Sequence, residues 1–303
     1  YKSDKYGFNN YFLNNNYNNI DVVLLGDHLV EGLSVHPDKN ISAIMNQKGC
    51  KTISIGRYDN AALTRFASIV EYVNIIKPKV VIWMHYPDDI HEMERELQSP
   101  ILRKYLFQDN FFQDLINNQN KIDSELYFYL NKNLNYIKSN SKIKIIRILL
   151  LKNIRDKLNL NSYSIKKIFR NKNNIKTQND INNFNLEKHI NYFEILMNKS
   201  SNYIDNWNGK KYFLYFPEFR AFEGNSNYNF RGVQINKLRE KVKKIAKDSN
   251  YDVHDFQTII FEKNSNPKKL FPLEIDNHYS EKAYNLIANK ILNIIDTKTI
   301  CNN

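Results

Sequence analysis

Four short stretches of the chain are apolar at consecutive positions: "IDVVLLGDH" from Ile20, "KTISIG" from Lys51, "KPKVVIWMHY" from Lys77 and "KKYFLYFPE" from Lys210. Runs that are apolar on both faces predict strands buried inside a parallel sheet. Between them the apolar positions recur at helical spacing, in "NISAIMNQ" near Asn40, "AALTRFASIVEYVNIIK" from Ala61 and "LEKHINYFEILMNKSSNYIDNW" from Leu186. A last such stretch, "SEKAYNLIANKILNII", follows His278, with Ser280 placed as its N-cap. Strands alternating with helices predict an α/β fold, a three-layer α/β/α sandwich with a mostly parallel, flavodoxin-like central sheet. Ligands of such sheets bind beyond the carboxyl ends of the strands. The residues expected there are Gly26, Asp27 and His28, then Gly56, then Asp88 and Asp89, then Pro217 and Glu218.

The regular alternation predicts one domain over 1–303, broken between the third and fourth strands by an insertion at about 135–185. "SKIKIIRILLLKNIRDKL" is apolar and basic together, while "RNKNNIKTQNDINN" is polar and low in complexity. Charge sharpens this picture. Lys138 to Lys176 holds twelve Lys or Arg and one acid, Asp156, a net +11 out of +12 for the whole chain. The expected role of the basic segment is a core-facing helix whose Lys and Arg stems reach water, with contact to an anionic surface or membrane as the alternative. No aromatic platform interleaves with the cations, which counts against nucleic acid. Cys50 and Cys301 lie far apart and predict no disulfide framework. No signal peptide or spanning helix is visible, so a cytoplasmic or membrane-peripheral setting is expected, with an incomplete N-terminus because the chain opens on Tyr1.

The strand-end residues form a further pattern. "VVLLGDHLVEGLSV", "ISIGRYDNAAL", "KPKVVIWMHYPDDIHEMERELQSPILRKYL" and "LFPLEIDNHYSEKAYNLIANKI" resemble, in order, the four blocks of the SGNH or GDSL hydrolases. "SDKYGFNN" and "FLYFPEF" are similar to a bacterial subgroup associated with surface-polysaccharide genes. The resemblance implies esterase or acyl-transfer chemistry on acyl esters of small molecules or glycans, with no cofactor. It assigns Gly56 as a backbone oxyanion donor and His278 as the general base, oriented by Asp276 or Asp255, with Gly26 and Asp27 supporting the turn. His28 stands at the position of the nucleophilic Ser, and Asp88 at that of the oxyanion-binding Asn, preceded by Pro87 instead of Gly.

These two substitutions have chemical consequences. His28 has no hydroxyl, and in a serine hydrolase losing the nucleophile costs about 10⁶ in turnover. An ionised Asp88 only accepts hydrogen bonds and would repel an oxyanion. Ser34 lies beyond the turn and cannot substitute. Three readings follow. In the first, a His28–Asp88 ion pair fills a cleft that binds a ligand without turnover. In the second, His28, Asp88 and His278 hold Zn²⁺ or Fe²⁺, or His28 attacks a phosphoryl group. In the third, ester hydrolysis survives by compensation. The stretch "HYPDDIHEMERE", with His85, His91 and Glu92, is expected to be a polar loop entering a charged helix face.

Overall fold

The computed structural model describes residues 3–10, 12, 17–133, 185–224, 228–230, 233–274 and 278–301. All four expected strands are present: β1 (Val22–Gly26), β2 (Thr52–Gly56), β3 (Val80–His85) and β4 (Lys210–Tyr215). A fifth, β5 (Asp252–Asp255), was not legible in the apolar pattern. The sheet order is β2-β1-β3-β4-β5 with every pair parallel, the order of a flavodoxin-like doubly wound sheet.

Helices cross between the strands: α1 (His28–Glu31), α2 (Ile41–Gln47), α3 (Ala62–Ser68), α4 (Asp89–Glu96), α5 (Pro100–Phe107), α6 (Leu186–Asp205), α7 (Ile235–Asp248), α8 (Glu281–Ile294) and α9 (Thr297–Ile300). Side chains alternate across a strand, so β1 and β3 serve two cores. Val22, Leu24, Ile82 and Met84 pack in one cluster with Ile44 and Met45 of α2 and Tyr284, Ile287 and Ile291 of α8. On the other face Trp83 and His85 meet Phe193 of α6, their rings 6.3 and 5.4 Å away. Ser280 caps α8 as expected, its side chain accepting from the Ala283 amide, and the Asn40 side chain caps α2 by accepting from the Ala43 amide.

The chain divides into two compact units, Tyr1–Gln113 with Asn185–Asn303, and Asp114–Phe184. In the second unit residues 119–133 are helical. The basic stretch 138–176 and its expected anionic-surface contact lie outside the described residues, as does Asp276.

The cysteine expectation is corrected. Cys50 and Cys301 are joined as a disulfide, with Cα atoms 4.6 Å apart across a sequence separation of 251 residues. Cys50 follows α2 and Cys301 follows α9, two segments that the fold brings together behind the sheet.

Candidate active site

The turn after β1 packs against the end of β2, where Gly56 leaves no room for a side chain. A Cβ on Gly56 would sit 2.6 Å from Val30 Cβ, 2.7 Å from the Asp27 carbonyl oxygen and 2.8 Å from the Glu31 amide nitrogen. Gly56 therefore lets α1 lie directly on the end of β2. Gly32 closes α1 in the left-handed region, φ 70°, its amide donating to the His28 carbonyl. Gly56→Ala is expected to cost about 1–3 kcal/mol, because the obstructing atoms are largely backbone; a urea titration against the parent protein measures it.

At this turn Asp27 and His28 act as a unit. One Asp27 oxygen accepts from the Leu29 amide at 2.9 Å, capping α1, and the other lies 3.1 Å from His28 Nδ1. The sequence expectation paired His28 with Asp88; the ion pair that forms is with Asp27, its neighbour, whose cap fixes the carboxylate within reach of the imidazole. Burial works against both charges. The Asp27 hydrogen bond, with the charges of Asp27, Asp88 and Glu92, nevertheless raises the His28 pKa to about 9, and His28 holds the Asp27 carboxyl below its ordinary value.

The pH dependence follows from this sign. A raised histidine stabilises the fold fully below its ordinary 6.5 and loses that contribution as pH rises through about 9. An NMR titration of the imidazole is expected to show a midpoint near 9 that falls toward 6.5 in Asp27→Asn.

His278, just before α8, completes the pair of imidazoles: its ring centroid is 5.0 Å from that of His28, edge to face. Buried tyrosines fix the two segments. Tyr279 donates to the Pro217 carbonyl at 2.6 Å, and Tyr284 of α8 donates to the Leu29 carbonyl in α1 at 3.0 Å. Ser34 Oγ lies 3.4 Å from that same Tyr284 hydroxyl. Asp255 is engaged elsewhere, one oxygen meeting Arg239 Nε at 2.6 Å and Lys243 Nζ at 2.8 Å, the other accepting from the Thr258 amide.

Asp88 stands at the head of α4, its Oδ1 buried with no hydrogen-bond partner among the described residues. Burial, reinforced by Glu92, Asp89, Asp27 and Glu218, pushes its carboxyl up to about 8. A carboxyl raised this far holds its proton into the neutral range, and in that protonated form it can donate as well as accept.

The stretch expected as a polar loop is mostly interior. His85, Asp89 and His91 are buried. Asp89 forms a two-pronged ion pair with Arg65 of α3 and accepts from the Tyr86 amide. Both residues are fully buried. His85 Nδ1 is 3.1 Å from the same carboxylate, and burial beside Arg65 keeps its pKa well below the ordinary value. Arg65 escaped the sequence reading, although it falls on the apolar stripe of its helix beside Ala62, Phe66 and Ile69, which is an informative place for a charge. The acids that converge here are Asp27, Asp88 and Asp89, one oxygen of each within 4.8 Å of the others. They differ from the expected metal set of His28, Asp88 and His278, and Asp89 already serves Arg65.

Comparisons with family models and with curated proteins give no match. Solved structures do show a likeness. It is to esterases and lipolytic proteins. An acetyl xylan esterase, AlAXEase, is 13% identical with a TM-score of 0.49, covering 91% of this chain and 100% of its own. A protein assigned to the G-D-S-L lipolytic family of Desulfitobacterium hafniense DCB-2 is 13% identical with a TM-score of 0.46, covering 91% and 99%. The lipase/acylhydrolase of Enterococcus faecalis is 11% identical with a TM-score of 0.45, covering 92% and 96%. At such identities the likeness concerns the course of the chain and not its chemistry.

Proposed function

We propose that the group of residues at the carboxyl ends of the strands, His28, Asp88 and His278, binds an acyl ester of a small molecule or glycan and does not cleave it by a seryl mechanism. The observation that carries this reading is the Asp27–His28 ion pair at the nucleophile turn, facing His278 at 5.0 Å. An acyl enzyme needs a nucleophile with a free lone pair beside a base. His28 offers no hydroxyl, and the proton that Asp27 helps it keep occupies the lone pair a histidine nucleophile would use. Ser34 points to Tyr284 instead. Binding chemistry, by contrast, is retained: a protonated Asp88 and a charged His28 are both donors that an ester carbonyl can accept from.

A fluorophosphonate probe separates this reading from surviving seryl catalysis. The parent protein is expected to remain unlabelled, whereas His28→Ser becomes labelled at residue 28. Labelling of any serine in the parent protein would overturn the proposal.

A further inference from the structure

The geometry points to the Cys50–Cys301 disulfide as a redox-dependent clasp on the segment that carries His278, in a protein that matures in an oxidising compartment. Cys50 is fully buried and Cys301 nearly so. The bond ties the loop between α2 and β2 to the residue immediately after α9, the last described residue of the chain. Here three features hold α9: the disulfide, Ile300 buried in the same cluster, and Lys79 Nζ donating to the Ile300 carbonyl at 2.8 Å.

The clasp reaches the candidate site through one helix. Between His278 and Cys301 lie only α8 and α9. α8 packs on α2, which Cys50 follows, and its Tyr284 hydroxyl is bonded to the Leu29 carbonyl of α1. The disulfide thus closes a ring made of the chain through α1 and α2, the Cys50–Cys301 bond, α9 and α8, and the Tyr284–Leu29 hydrogen bond; His28 begins α1 and His278 precedes α8. A dithiol reductant opens the ring: two electrons and two protons from the reductant convert the bond to two thiols, and the reductant becomes its own disulfide. Buried disulfides of this kind persist where thiols are not kept reduced, as in secreted or periplasmic proteins. That setting differs from the cytoplasmic one expected from the sequence. The inference stands apart from any choice of ligand.

The full chain, produced by export to an oxidising compartment, is denatured and treated with iodoacetamide before and after reduction. No carbamidomethyl groups are expected without reductant and two after it. Hydrogen exchange of the native protein is then followed with and without dithiothreitol, and in Cys301→Ser. Exchange over residues 281–300 is expected to rise at least about tenfold on reduction and in the variant, with β1 and β3 unchanged, and the melting temperature to fall by about 10 °C. Two alkylated cysteines without reductant in the exported protein would overturn the cross-link. Unchanged exchange over 281–300 after verified reduction would overturn the clasp.

Discussion

Replacing His28 by Ser and Asp88 by Asn together is expected to raise p-nitrophenyl acetate hydrolysis at least about 10²-fold over the parent protein. Each change supplies a missing part. Serine restores a hydroxyl at the turn after β1, where Gly56 and Gly32 already hold the backbone of α1 in place. Asparagine replaces a carboxyl whose donor ability disappears above about pH 8 with an amide that donates at every pH. His278 is held in place: Tyr279 and Tyr284 pin its segment to Pro217 and Leu29. Adding His278→Ala to the double variant should return the rate to the parent level, which ties any gain to the turn and not to a surface histidine. His28→Ser alone should gain less, with its rate falling as pH rises through 8, while the double variant should not show that fall. A folded double variant with no gain would mean that a hydroxyl at position 28 and an amide at position 88 do not suffice for ester hydrolysis in this fold.

The legible part of this site was its location. Continuous apolar runs announced β1 to β4, and the polar residues that end them, Asp27, His28, Gly56 and Asp88, do lie at one edge of the sheet. Strand β5 was hidden because "DVHD" is short and partly exposed at the sheet edge, with no apolar run to betray it. What the sequence could not give was pairing. His28 had two acids in prospect, and only the cap geometry of α1 decided for Asp27. The charge state of Asp88 depends on Glu92, Asp89, Asp27 and Glu218, which arrive from three different segments. The Cys50–Cys301 bond spans 251 residues, a separation at which spacing carries no information about contact.

Arg65→Met is expected to destabilise the protein by about 3–5 kcal/mol, a large share of the 5–15 kcal/mol typical of a folded domain. Arg65 and Asp89 bury both charges completely. The guanidinium also packs 6.0 Å from the Trp83 ring and donates to the Asn60 carbonyl at 2.9 Å. Removing it leaves the Asp89 carboxylate in the interior beside His85, whose pKa burial holds well below its ordinary value, with the Tyr86 amide donating to it at 2.8 Å. Burial already pushes the Asp89 carboxyl up against the pull of Arg65, so the variant should recover stability as pH falls and Asp89 takes a proton. Asp89→Asn in the same background removes the charge but keeps an acceptor for the Tyr86 amide. Arg65→Met with Asp89→Asn is therefore expected to be more stable than Arg65→Met alone, a reversal that no simple loss of packing produces. Urea unfolding of the two single variants and the double variant measures the cycle. Additive costs would mean that Arg65 matters for its shape and not for its charge. Because the Asp89 charge is one of those that raise the Asp88 carboxyl, Asp89→Asn should also lower the Asp88 titration.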